Sequence, residues 1–299
     1  MRSLMLLTLL CLAAVVCGGC DVLAIPYKAW QGDKQAYVDP ERLEKGLVIV
    51  LTGVEGRSIF NDKICEGINA GGVDCAIELN DWTLMLVGVS QMTEGRNRQR
   101  AEEIALRITR YQYTHPGRPV VLVGQSGGGA MALWIAEAMP SRRQVDGIIL
   151  LAASISPEYR MDEALLKSSR GVVSFYSPGD FMFLGFGTTV MGTMDGKHSA
   201  SAGQAGFRVP PNCPPYQKLY QVCWNEQMEK SGFGGGHLSS GASEFVANYV
   251  SPLIMSDRWD SATINRISHC AAATATKAAA TPKASAPHTK PAATTRKAP

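Results

Sequence analysis

The sequence predicts an α/β fold built on a mostly parallel central sheet with helices on both faces. Three observations predict it. Short runs rich in β-branched and aliphatic residues recur along the chain without polar alternation, as in strands covered on both sides. Helix-forming segments separate these runs, the order that right-handed crossovers turn into a parallel sheet. One run, 119–123, passes directly through Gly124-Gln125-Ser126-Gly127-Gly128 into a helix-forming stretch, 129–139, stopped by Pro140.

The elements follow in order. Residues 47–51 (LVIVL) read as a central buried strand ending at Thr52-Gly53. Residues 58–69 form a helix capped by Ser58 and closed before Gly71-Gly72. Residues 75–79 are the next strand. Residues 93–113 are a long amphipathic helix whose apolar positions Ile104, Ala105, Ile108 and Tyr111 recur at three and four. After the 119–139 unit come strands at 147–151 and 172–176, a last strand near 219–224 and a closing helix over 239–250. Residues 181–215 are a glycine-rich insertion without periodicity, a length that points to function or disorder.

Both ends differ from this core. Residues 1–19 read as a signal peptide, with Arg2 as the positive end and an apolar stretch from Leu4 to Val16 too short to stay in a bilayer. Cys20 after Gly18-Gly19 resembles the bacterial lipoprotein cleavage box, which implies a lipid-anchored cysteine and an exported, membrane-tethered protein facing the periplasm or cell surface. Cys17 stands where that family has an aliphatic residue, and an ordinary cleaved signal is the alternative. Residues 20–46 are a tether or entry segment, with room for a short first strand. The folded domain is 47–270. Residues 271–299 are almost wholly Ala, Thr, Pro, Lys and Ser, too apolar-poor to order.

That tail carries five basic residues and no acids, while the whole chain is +3, so the remainder is −2. The domain is near neutral and gives no basis for nucleic-acid binding. The tail either solubilises or touches anionic polymer or lipid. Of eight cysteines, five lie beyond Cys20. Cys65 with Cys75 and Cys213 with Cys223 are the economical pairs in an exported chain, leaving Cys270 over. No Cys/His spacing suits a metal, and no cofactor is expected.

The 124–128 turn carries the chemistry. A serine on such a strand-to-helix turn is strained and exposed above the sheet, and side chains at the flanking glycines would collide with neighbouring elements. A glycine-rich turn cradling a phosphate is the competing reading. A serine nucleophile needs a base, and the base needs an orienting acid. Of five histidines, His288 and His269 lie in or beside the tail, and His115 ends a helix on the wrong side of the sheet. His237, on Gly234-Gly235-Gly236 before the closing helix, is preferred to His198 inside the insertion. Asp180, in Ser177-Pro178-Gly179-Asp180 after a strand, is the acid, with Asp195 and Glu158 as fallbacks. The oxyanion donors are the N–H groups of Gly127 and, from the turn after 47–51, Val54 before Glu55. A carboxylate at Glu55 beside an oxyanion must point away or be paired.

The order Ser126, Asp180, His237, together with the elbow and the alternating elements, resembles the α/β-hydrolase superfamily over residues 47–251. The resemblance implies six to eight strands with the first one or two reduced or missing. It also implies a serine hydrolase of esterase or lipase type, acting on small-molecule or lipid acyl substrates, esters or thioesters, through an acyl-enzyme on Ser126. The oxyanion turn has Thr52-Gly53-Val54 in place of the His-Gly of many lipases. Phe181, Met182, Phe183, Leu184 and Phe186 either offer an acyl surface or pack on the core. An acyltransferase on the same triad and an inactive surface-binding lipoprotein are the alternatives.

Overall fold

The computed structural model describes residues 35–83, 93–180 and 192–268. Six strands, β1 (Leu47–Leu51), β2 (Ala76–Asn80), β3 (Val120–Gln125), β4 (Gly147–Leu151), β5 (Val172–Tyr176) and β6 (Leu219–Cys223), form one sheet in the order β2-β1-β3-β4-β5-β6. Every pair is parallel. The fold class is therefore the one the sequence predicts.

Side chains alternate across the strands and divide the core in two. Leu47, Ile49, Leu51, Val120, Leu122, Ile148 and Leu150 face helices α2 (Glu94–Thr114) and α3 (Gly127–Glu137). Val48, Val50, Val121, Val123, Ile149, Leu151 and Phe175 face α1 (Ile59–Ala70) and the closing helix. The four central strands β1, β3, β4 and β5 are buried on both faces, which is why they read as mostly apolar runs. Edge strand β6 is only partly buried and reads more polar.

The β2 edge is covered from residues 35–46. Tyr37 makes an antiparallel bridge to Ile77. The Gln35 side-chain amide donates to Leu79 O and accepts from Leu79 N, both at 2.9 Å, imitating one rung of a strand. No longer strand lies beyond β2 among the described residues, in keeping with reduced first strands.

Several expectations change. Helix α3 starts at Gly127, because the chain turns helical immediately after Ser126. The closing helix is segmented: a 3-10 turn Leu238–Gly241, then Ser243–Phe245, a π turn Val246–Val250, and Ser251–Met255. Pro252 has no N–H to continue the α pattern, and Ser251 N instead bonds Val246 O. A further helix over 261–268 was not foreseen. Residues 192–215 are ordered by the sheet rather than featureless: helix Ala202–Ala205 lies over β4 and β5, with Gly203 N bonding Ala153 O and Ser177 N bonding Gly203 O.

Neither economical disulfide forms, since Cys65, Cys75, Cys213 and Cys223 are free thiols. Cys65 is locked in the α1–sheet interface. Cys213 donates to Asp162 Oδ1 at 2.9 Å, while Cys223 sits exposed on edge strand β6. The signal, Cys20, Cys270, His269, the tail and the apolar cluster Phe181 to Phe186 lie outside the described residues.

Candidate active site

All six strands run the same way, so their carboxyl ends share one edge, and the candidate residues gather there. Ser126 follows β3 with φ 56° and ψ −122°, a backbone region that side chains disfavour. The surroundings enforce it. A Cβ on Gly124 would lie 2.2 Å from Gly128 O, and one on Gly128 would lie 2.3 Å from Leu51 O and 2.5 Å from Thr52 O. Only glycine lets the helix start press this closely on β1 and β3. Ser126 N bonds Leu151 O at 3.0 Å, and Ser126 O accepts from Gly129 N and Ser154 N. The strained residue is thus tied to β4, to the loop after β4 and to its own helix. The first turn of α3 follows it, and a helix N-terminus is a favourable place for negative charge.

Asp180 lies just past β5 in the tight turn expected of it, with its N–H on Ser177 O at 3.0 Å. It is 2 % exposed. His237 starts the 3-10 turn before the closing helix, and Ser240 Oγ bonds its carbonyl at 2.7 Å. His237 Nδ1 and Asp180 Oδ2 are 3.0 Å apart, 57 residues distant in sequence. Burial pushes the Asp180 carboxyl above the ordinary carboxylate range, and the His237 imidazole pulls it back. Oδ1 of Asp180 is buried without a hydrogen-bond partner.

The structure therefore brings Asp180 and His237 into contact and sets Ser126 on the elbow. It records no hydrogen bond between His237 and Ser126.

The turn after β1 passes beside Gly127. A Cβ there would meet Val54 Cγ1 at 2.6 Å, Met194 Sδ at 3.3 Å and Trp82 Cζ2 at 3.4 Å. The Val54 side chain thus lies next to Gly127. The Glu55 carboxylate folds back over Gly53 and accepts from Ser58 Oγ at 3.4 Å, so it is paired.

The fallback residues are employed elsewhere. Asp195 accepts from Ser156 N at 3.0 Å, from Thr193 Oγ1 at 2.5 Å and from Ser156 Oγ. Glu158 pairs with Arg208 on the surface at 2.8 Å. His198 is exposed on the 193–198 turn. His115 stacks on Tyr111 and faces Glu44 at the opposite edge of the sheet.

Sequence reasoning missed Trp82 and Met194. Trp82 is fully buried and donates Nε1–H to Thr52 O at 2.7 Å, fixing the turn that carries Val54. Its position two residues past β2 was the available signal. Met194 had none, because its neighbours follow no period. No group of three or more metal-ligating side chains occurs among the described residues.

No protein-family model matches this sequence, and no curated protein sequence matches it. Solved structures similar to it include Aspergillus fumigatus lipase B, at 12% identity and TM-score 0.47, over 75% of this chain and 55% of that one. Trichoderma reesei cutinase in complex with a C11Y4 phosphonate inhibitor matches at 14% identity and TM-score 0.41, over 81% and 91% of the two chains. The esterase domain of a Rhodothermus marinus protein matches at 14% identity and TM-score 0.39, over 72% and 87%. The chain spans 55% of the length of the lipase. These are likenesses of backbone path at low identity.

Proposed function

We propose that this chain is a serine hydrolase of the α/β-hydrolase kind that cleaves carboxylic esters or thioesters through an acyl-enzyme on Ser126. The observation that carries the reading is one sheet edge holding both a strained, glycine-flanked serine and a buried carboxylate–imidazole pair.

Ser126 Oγ attacks the carbonyl carbon while its proton passes to His237 Nε2. Asp180 accepts the Nδ1 hydrogen, fixing the tautomer and offsetting the imidazolium charge. The N–H groups of Gly127 and Val54 take the oxyanion. Collapse breaks the bond to the alcohol or thiol, which leaves with the proton from His237. Water then adds to the acyl carbon and gives its proton to His237, which returns it to Ser126 Oγ as the Ser126 ester bond breaks to release the acid. In the same proposal, Cys20 carries the lipid that tethers the exported enzyme to a membrane.

One observation favours a second reading, a binding lipoprotein that keeps the fold without turnover: no hydrogen bond joins His237 to Ser126. Catalytic hydrogen bonds are commonly long before substrate binds, so the first reading stands ahead of it.

Hydrolysis of p-nitrophenyl esters separates the two. The hydrolase reading expects turnover that falls about 10⁴-fold or more in Ser126→Ala. Equal rates for parent and variant would establish the binding reading. Product analysis with an added alcohol distinguishes transfer from hydrolysis.

A further inference from the structure

Asp195 is not needed as the acid, yet its carboxylate is among the most fully engaged in the molecule. It accepts the backbone N–H and hydroxyl of Ser156 and the hydroxyl of Thr193. Thr193 N bonds Lys197 O at 2.8 Å, closing a tight turn. Met194 N bonds Ser154 O at 3.0 Å, and Ser154 N in turn bonds Ser126 O at 2.9 Å. A continuous set of hydrogen bonds therefore runs from the Asp195 turn to the elbow. What it fixes is Met194, wholly buried, with its sulfur 3.3 Å from the position of a Gly127 Cβ.

Trp82 and Val54 complete the same flank. Trp82 is immobilised by its bond to Thr52 O. Val54 Cγ1 stands 2.6 Å from that Cβ position. Beside the N–H that would receive the oxyanion there is thus no space for even one added carbon. A carbonyl bound there has a filled apolar wall at its side.

We propose that Met194, held by the Asp195–Ser156–Thr193 clamp, forms with Trp82 and Val54 the wall that restricts the acyl group on Ser126 to a short chain. This rests on the serine-hydrolase reading. Asp195 is a positioning residue in this account. Met194 sets specificity, and its unbranched, adaptable side chain can be shortened without breaking a hydrogen bond, unlike that of Trp82.

The test is the chain-length profile of kcat/KM on p-nitrophenyl acetate, butyrate, octanoate and dodecanoate, each preparation titrated with a small fluorophosphonate. The parent is expected to favour acetate and butyrate. Met194→Ala is expected to raise the octanoate-to-butyrate ratio about tenfold, the effect of about one methylene's worth of pocket. Ser156→Ala, which loosens the clamp, is expected to move the ratio the same way by less. A general loss of structure would lower all four esters together and leave their ratio unchanged.

A parent that hydrolyses octanoate or dodecanoate at least as well as butyrate overturns the proposal without any variant. So does a Met194→Ala ratio equal to the parent's in titrated enzyme. In both cases the hydrolase reading survives, because the parent labels and turns over. A parent that neither labels nor hydrolyses any ester overturns both.

Discussion

The two edges of the sheet are built from the same strands and obey different rules. At the amino edge, backbone groups at the strand starts are matched by side chains, although Gln112 Oε1 is left without a partner. Asp146 Oδ2 accepts from Val120 N at 2.7 Å, Asp146 N bonds Val120 O at 2.7 Å, and Ser168 Oγ bridges both backbone groups of Gly171. Positive φ there falls on glycines, Gly46 and Gly171. At the carboxyl edge, positive φ falls on glycines such as Gly56 and Gly235 and also on Ser126 and Ala152, which have side chains. Buried oxygens without partners close four of the six strands: Asn80 Oδ1 at the end of β2, Thr52 Oγ1 after β1, Gln125 Oε1 ending β3 and Asp180 Oδ1 after β5. Each such group lowers stability, and they collect at the edge that carries the strained serine. One edge is built for stability and the other gives some of it up.

Substitutions at the two edges break or sharpen that contrast. The largest structural effect is expected at the elbow. Gly128→Ala drives a methyl into Leu51 O and Thr52 O, backbone atoms that cannot step aside, and should cost about 3 kcal/mol or more. Gly72→Ala is the comparison: φ is +88° but nothing lies within 4 Å, so only the backbone strain of roughly 1–2 kcal/mol remains. Urea unfolding measures both. Equal losses would mean that crowding at the elbow is not what demands glycine.

A middling effect belongs to the amino edge. Asp146→Ala strips the acceptor from Val120 N, and a loss of about 1–3 kcal/mol is expected, with kcat/KM on short esters unchanged. Asp146→Asn keeps an acceptor oxygen and should recover most of the loss. Reduced kcat/KM in either variant would show the edges to be coupled.

The smallest effect has the opposite sign. Burial holds the folded-state pKa of Asp180 above its unfolded value, so the parent loses stability as pH rises through the folded value. Asp180→Asn carries no such loss. Its Tm relative to the parent should therefore climb from acid towards neutral pH, while its activity collapses. A Tm difference that stays flat, or falls, over that range would remove Asp180 from the set of strained groups.

Much of this was legible in the sequence. Strands β1, β3, β4 and β5 are mostly apolar because helices cover both faces, and that composition survives any detail of packing. The places of Ser126, Asp180 and His237 were legible because local chain chemistry marks each: a Gly-flanked strand-to-helix junction, a Pro-Gly-Asp turn at a strand's carboxyl end, and a triple glycine before the closing helix. What the sequence hid depends on distant partners. The role of Asp195 required knowing that 193–197 returns to Ser154 and Ser156. The wall at Gly127 joins residues 54, 82 and 194, a set with no shared period. The cysteine spacing suggested bridges because it counts residues. The fold buries Cys65 beneath α1 and turns Cys213 towards Asp162.

The central claim is that the strained hydroxyl is chemically activated by the imidazole held on Asp180. Mapping a fluorophosphonate adduct by peptide mass spectrometry tests it most directly. A single adduct on Ser126 in the folded parent, formed at least a hundredfold more slowly in His237→Ala, is the predicted result. A folded parent with no adduct at Ser126, or one whose labelling rate is indifferent to loss of His237, would contradict it.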